Sequence, residues 1–188
     1  MTIPLARTKR EEHLYRDLNP CHCGETAFRR TSHATGSCQE GLTSISSGDC
    51  PSCGAARRFE FRVPDWPDRT GGFGGDDPSQ IIDAGQWRML GCEAVDSVEQ
   101  ATRSFRRVPA GAALEEIVRL LRFGVECLEE IPKFIPAGTD RVPVSAFWTD
   151  SGRRQLELEP LGIRHFEREM LEAFTGAYRN HLSILERP

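Results

Sequence analysis

Two strings decide how the first third of this chain folds: Asn19-Pro20-Cys21-His22-Cys23-Gly24 and Asp49-Cys50-Pro51-Ser52-Cys53-Gly54. Four thiols at this spacing read as two halves of one tetrahedral Zn²⁺ site with Cys21, Cys23, Cys50 and Cys53 as ligands. The second string is the stronger, because Cys-Pro-x-Cys-Gly places two thiolates about a tight turn and its glycine lets backbone amides approach sulfur. Four thiolates leave no open position on the metal, which is the structural and not the catalytic arrangement. His22, His33 and Cys38 are the residues able to replace one cysteine, most readily on the Cys-x-Cys side.

The segments around these strings suit a small sheet. Leu5 to Leu18 reads as a short amphipathic helix stopped by Asn19-Pro20. Strands are expected at Thr26–His33, Gly41–Ser46 and Arg57–Val63, the last being clearest because Phe59, Phe61 and Val63 alternate with Arg58, Glu60 and Arg62. Such a sheet has little core of its own, so coordination is expected to supply much of its folding free energy.

Residues 64–78 contain three prolines, Trp66 and the run Gly71-Gly72-Phe73-Gly74-Gly75, and read as a connection. No Gly-Lys-Ser/Thr ending and no G-x-G-x-x-G spacing accompanies the glycines, so a phosphate loop is not indicated. Beyond them the pattern becomes helical: Ser79–Cys92, Asp96–Phe105, Ala110–Ile131, Ser145–Leu158 and Leu161–Leu185, with Asp83 and Asp96 as N-caps. The Ala110–Ile131 segment is strongest, with Leu114, Ile117, Val118, Leu121, Val125 and Leu128 at three- and four-residue intervals. The expected fold class is α+β: a zinc-ribbon-like antiparallel sheet in 1–65, a connection in 66–78 and an all-α region in 79–188.

Composition narrows the function classes. The 188 residues carry a net charge of −4. Residues 1–65 hold nine basic and eight acidic groups, 66–107 five and seven, and 108–188 ten and thirteen, so no segment has the basic excess that phosphate binding usually leaves. Nucleic acid is a disfavoured partner. No apolar run approaches the length of a membrane span and none near Met1 resembles a secretion signal, so no membrane association is expected and a cytoplasmic location is. Seven cysteines suit a reducing compartment with bound metal better than a disulfide framework, which would leave one unpaired.

Catalytic patterns are wanting. A zinc deaminase needs His/Cys-x-Glu followed by Pro-Cys-x-x-Cys, whereas here the string runs Cys-Pro-x-Cys, and no His-Glu-x-x-His occurs. Cys92 and Cys127 fall among apolar neighbours on helical segments and read as small core residues. Arg29, Arg30, Arg57, Arg58 and Arg62 share one region of the ribbon, and Asp76, Asp77, Asp83, Glu129 and Glu130 are candidates for an acidic docking surface; ordinary solvated charge is the simpler reading of both groups. Trp66, Trp87 and Trp148 read as packing residues, any of which would anchor an interface if half-exposed.

Through Cys21-x-Cys23-Gly24, the Cys50-Pro51-x-Cys53-Gly54 knuckle, the strand end Phe59-x-Phe61-Arg62-x-Pro64 and the stretch from Phe73-Gly74-Gly75 to Asp83-Ala84-Gly85-Gln86-Trp87, the chain resembles a group of actinobacterial zinc-ribbon-containing proteins. These look like neighbours of secreted polymorphic toxins, so the resemblance implies an immunity protein that occludes a toxin domain. It extends over the full length, its motifs are structural, and it transfers no catalytic residue. The expected function is therefore a non-enzymatic cytosolic protein-binding module with structural Zn²⁺. The alternative is a zinc-ribbon nucleic-acid-binding or regulatory protein.

Overall fold

The computed structural model describes residues 2–65, 72–103, 111–158 and 160–186. Contacts divide the chain into two units, residues 1–82 and 83–188. A three-stranded antiparallel sheet belongs to the first and the long helices to the second, an α+β arrangement in the order the sequence suggests.

In the first unit, Thr8 caps helix α1 (Lys9–Leu18) by accepting a hydrogen bond from the Glu11 amide at 3.1 Å. The helix begins later than expected because Leu5 is bridged to Arg62: the Ala6 amide donates to the Arg62 carbonyl (3.0 Å) and the Arg62 amide to that of Pro4 (2.9 Å). Strands β1 (Arg29–Cys38), β2 (Gly41–Asp49) and β3 (Ala56–Val63) form a meander in the order β1-β2-β3. β1 runs well beyond the expected Thr26–His33. It is polar and exposed almost throughout, so hydrophobic alternation does not mark its extent; it is extended because its backbone pairs with β2 from Arg29↔Asp49 to Cys38↔Gly41. Gly41, at φ +124°, permits that tight hairpin.

The alternation read in β3 places Phe59 and Phe61 against α1, where Tyr15 meets both rings edge-on at 6.3 and 5.2 Å, and Phe28 meets Phe59 at 5.3 Å. Four aromatic rings, Tyr15 of α1 among them, thus form one cluster. Beside them lies a polar layer: Glu12, 4% exposed, accepts from Lys9 Nζ at 2.9 and 3.0 Å and from Ser44 Oγ at 3.2 Å. The fully buried Glu11 carboxylate takes both side-chain nitrogens Nε (3.0 Å) and Nη2 (2.7 Å) of Arg7. Phe73 is 2% exposed beneath the Arg10 guanidinium, which lies 4.2 Å from its ring centre, so the middle of the glycine run packs within this unit. Trp66 and Gly71 lie outside the described residues.

In the second unit the two expected segments Ser79–Cys92 and Asp96–Phe105 are one helix, α2 (Ala84–Arg103), its expected end at Phe105 lying outside the described residues. Asp83 caps it as anticipated. Its Oδ1 accepts from the Gln86 amide (2.8 Å) while Gln86 Oε1 accepts from the Asp83 amide (3.2 Å), a reciprocal capping box. Asp96 is no cap. It sits on the exposed side of α2, where Val95 and Val98 face inward and keep the helix going. Helix α3 (Ala112–Glu130) follows the pattern read from the sequence, the proposed start at Ala110 being outside the described residues. Val95 and Val98 of α2 pack with Ile117 and Leu121 of α3 and with Leu182 of α5 (Arg168–Leu185). Trp87 is fully buried, as its packing role requires, and Cys127 likewise.

The expected Ser145–Leu158 helix is broken into a 3₁₀ turn at Val144–Ala146, a single α turn α4 (Asp150–Arg154) and a second 3₁₀ turn at Gln155–Glu157. Asp83 draws this region in: its Oδ2 accepts from the Thr149 amide (2.8 Å) and hydroxyl (2.6 Å), and Thr149 Oγ1 caps α4. The expected Leu161–Leu185 helix is likewise interrupted at Glu167, where the Val142 amide donates to the Phe166 carbonyl and the Arg168 amide to that of Asp140. Backbone pairing of that kind leaves no trace in side-chain periodicity.

Candidate metal centre

Each cysteine string folds as a turn closed by a left-handed glycine. In the first, the Gly24 amide donates to the Cys21 carbonyl (2.8 Å), the Cys21 amide to that of Glu25 (2.8 Å), and Gly24 has φ +89°. In the second, the Gly54 amide donates to the Cys50 carbonyl (2.9 Å), the Cys50 amide to that of Ala55 (2.9 Å), and Gly54 has φ +72°. A side chain at either glycine would strain the turn that presents the thiols.

The turns bring Cys21, Cys23, Cys50 and Cys53 together with all four sulfurs within 4.8 Å of one another. Across the turns, Cys21 Sγ lies 3.6 Å from Cys53 Sγ and Cys23 Sγ 3.5 Å from Cys50 Sγ. A tetrahedron with a metal–sulfur bond of about 2.3 Å has edges of about 3.8 Å, so the donor set fits a single thiophilic cation. Cys50 is fully buried and Cys21 nearly so, while Cys23 and Cys53 are exposed.

The thiols are not equivalent. Burial disfavours the Cys50 thiolate, but hydrogen bonds from the amides of Cys53 and Ser52 and from the thiols of Cys23 and Cys53 outweigh it and lower its pKa to about 7. The Ala55 amide favours the Cys53 thiolate, yet the hydrogen bonds its thiol makes to Cys21, Cys23 and Cys50, together with burial, hold the proton there and raise its pKa to about 12. One thiol is ready to ionise and another keeps its proton until something stronger displaces it.

The surroundings brace the two turns. Ser52 Oγ donates to Glu25 Oε2 at 2.6 Å and the Ala27 amide to Glu25 Oε1 at 2.8 Å, which hold the Glu25 carboxyl below the usual range. Arg57 donates to the carbonyls of Asn19 and Ala27 and lies over the rings of Phe59 (5.0 Å) and Phe28 (5.7 Å).

His33 and Cys38 stand apart from the four sulfurs on β1. His33 Nε2 is 3.2 Å from Ser44 Oγ, and Cys38 Sγ accepts from the Glu40 amide at 3.4 Å. His22, exposed, has Nδ1 3.5 Å from Cys21 Sγ, beside the cluster and outside its four donors. Among the described residues this is the only such group of donors. The sequence does contain a His-x-Glu pair, His165-Phe166-Glu167, but it lies in the second unit, and the cysteine cluster lies in the first.

The charged residues singled out above are largely engaged. Arg29 pairs with Asp49, Arg58 with Glu60 at 2.8 Å, and Arg62 with the Ile3 carbonyl at 2.8 Å and Glu40 at 3.4 Å; Arg30 is exposed. The acidic group does not form one surface patch, because Asp83 and Glu130 are buried and Glu129 pairs with Arg179 at 2.5 Å; Asp76 and Asp77 are exposed. Cys92 is half-buried, with burial raising its pKa. Trp148 is 42% exposed, 6.2 Å from Phe134. Among the described residues no helix is long and apolar enough to cross a membrane.

Comparison of the chain with protein-family models, curated proteins and solved structures returned no match.

Proposed function

We propose that this protein is a non-enzymatic, cytoplasmic binding protein whose N-terminal sheet is braced by one structural Zn²⁺ held by Cys21, Cys23, Cys50 and Cys53. The observation that carries the metal assignment is the approach of four sulfurs, donated by two matched turns, to the edge length of a tetrahedral thiolate site. Thiolates select Zn²⁺ over the hard, oxygen-seeking cations, and a complete set of four leaves no position for substrate. A metal-thiolate site of this kind suits a reducing compartment.

A non-catalytic reading fits the other polar clusters too. Ser44 has Lys9 Nζ at 2.8 Å and His33 at 3.2 Å, a nucleophile-like grouping, but it is 1% exposed and its hydroxyl donates to Glu12. That geometry secures α1 to β2 and leaves a substrate no path to the oxygen.

The partner we propose is a protein. Four of the five ribbon arginines already have acidic or carbonyl acceptors, which weakens the case for nucleic acid. The net charge of −4 favours capture of a basic partner, as a toxin acting on nucleic acid would be, and the immunity role follows from the resemblance described above. Affinity capture of the zinc-loaded chain from its native cytosol, with neighbouring genes expressed, tests this. One-to-one recovery of a basic protein domain is the expected result. Recovery of nucleic acid, with oligonucleotide affinity falling steeply as salt rises, would replace this reading with a regulatory nucleic-acid-binding one.

A further inference from the structure

The second unit contains an apolar cavity of about 160 Å³ that has no part in the metal centre. Leu128 of α3, Leu161, and Met170, Leu171 and Phe174 of α5 supply its hydrocarbon walls, and two nitrogen-bearing groups complete the lining: Arg88 of α2 and His165. Leu128 and Leu171 are 1% and 3% exposed, so the floor is core. An apolar space of roughly 150 Å³ holds a single benzene ring, which sets the size of an occupant.

Arg88 decides its charge. Nη1 donates to Gln155 Oε1 at 2.8 Å, and the guanidinium carbon lies 5.9 Å from the Phe166 ring centre. Those two contacts orient the group. Among the described residues, the edge formed by Nε and Nη2 meets no further hydrogen-bond acceptor and no carboxylate lies within ion-pair distance of Arg88. That edge is the fork that accepts a planar carboxylate through two parallel hydrogen bonds. His165 sits beside it with its pKa lowered by burial and by the charge of Arg88, so at neutral pH it adds a hydrogen-bonding group and no second charge. Arg88 is half-buried, and a carboxylate entering the cavity would meet its charge.

We propose that this cavity binds a small apolar monocarboxylate, of the size of a single aromatic ring or short alkyl chain bearing one carboxyl group, with its hydrocarbon part among Leu128, Met170 and Phe174 and its carboxylate on the Nε/Nη2 edge of Arg88. Phosphate esters and sugars are poor candidates, since the walls offer them no further polar partners. The inference is independent of the metal assignment, which concerns the other unit.

Titration of the full-length zinc-loaded protein with phenylacetate and, separately, with its neutral analogue phenylacetamide tests it, followed by NMR of the Met170 methyl and the His165 ring. The expected result is saturable binding of phenylacetate that shifts both signals, with the amide weaker by about tenfold or more, the worth of one charge-assisted interaction. Arg88→Gln is expected to abolish the difference between the two probes. Because the two-probe comparison uses the unaltered protein, it stands whether or not that variant folds. Equal affinity for both probes, no binding of either at millimolar concentration, or shifts that spare Met170 and His165 would overturn the proposal.

Discussion

Ser52 Oγ donates to Glu25 Oε2 at 2.6 Å, and this one bond joins the two cysteine turns by side chains other than the thiols themselves. Ser52 lies between Cys50 and Cys53, and Glu25 follows the glycine of the first turn. The pair therefore fixes the spacing of the two halves before a metal arrives. Because the bond is exposed to solvent, its contribution is to preorganisation more than to stability. Ser52→Ala is expected to weaken metal retention by less than about tenfold, below the range of about 10–100-fold for outer-shell partners that hold a metal ligand directly. Chelator competition read with a chromogenic zinc indicator checks this, and retention unchanged from the natural chain would count against a role for the pair.

Removing a ligand is a far larger perturbation than removing the brace. Cys50→Ser or Cys53→Ser is expected to release the metal and unfold the sheet, because the ring cluster beside the sheet is small and coordination is coupled to folding there. Cys38→Ser, Cys92→Ser and Cys127→Ser are expected to leave metal content intact, since these thiols stand outside the cluster. Metal analysis of the five purified variants, with hydrogen exchange of the β2 amides, distinguishes the two groups.

The thiol energetics imply a pH dependence of loading. A metal binds thiolate, so each thiol still protonated in the free cluster must give up its proton on binding. The Cys50 pKa, lowered to about 7, makes that thiol ionise well before Cys53, which, raised to about 12, keeps its proton across the neutral range. Metal uptake at pH 8 is therefore expected to release protons, and apparent affinity to fall as pH drops through about 7, where Cys50 also begins to hold its proton. Weakly buffered titration with a pH indicator measures both; uptake without proton release would contradict the assigned protonation.

In the second unit, α2 and α3 come closest where Gly91 faces Gly124. A Cβ on Gly91 would lie 2.7 Å from Leu128 Cγ, and one on Gly124 would lie 3.1 Å from the Gly91 carbonyl oxygen. Alanine normally gains up to about 1 kcal/mol over glycine inside a helix, but overpacking a core costs about 1–3 kcal/mol, and the clash is with the Cγ branch point of Leu128 as well as its Cδ2, at 2.8 Å. Gly91→Ala is thus expected to destabilise the helical unit, and Gly91→Leu to do so severely. Urea unfolding followed by Trp87 fluorescence gives the sign.

Asp83 is the other fixed point of that unit, holding the start of α2 and the Thr149 turn with one carboxylate. Asp83→Ala would strand the Gln86 amide and both Thr149 donors, at a cost of about 3 kcal/mol or more. Asp83→Asn keeps the shape and one acceptor oxygen, so a smaller loss is expected from it. Thermal unfolding of the two variants ranks them.

These same residues explain what a reader of the sequence alone can and cannot see. Cysteine spacing announces the four-thiol cluster because its geometry is local: each turn has its own two thiols and its own glycine. β3 and α3 announce themselves because their apolar faces repeat at two and at three to four residues. β1 does not, since its side chains are exposed and only backbone pairing with β2 makes it a strand. The interruptions at Thr149 and Glu167 are equally silent, being set by hydrogen bonds to Asp83 and to the 140–142 backbone from residues distant in sequence. Arg88 and His165 carry no motif at all; they meet at one cavity because α2 and the turn before α5 pack beside each other.

The central claim is that four sulfurs close one metal site, and zinc-edge X-ray absorption on the purified full-length chain tests it most directly. One zinc per chain in a shell of four sulfurs at about 2.3 Å is the predicted result. A shell containing nitrogen or oxygen, or failure to retain stoichiometric zinc after loading under reducing conditions, would contradict it.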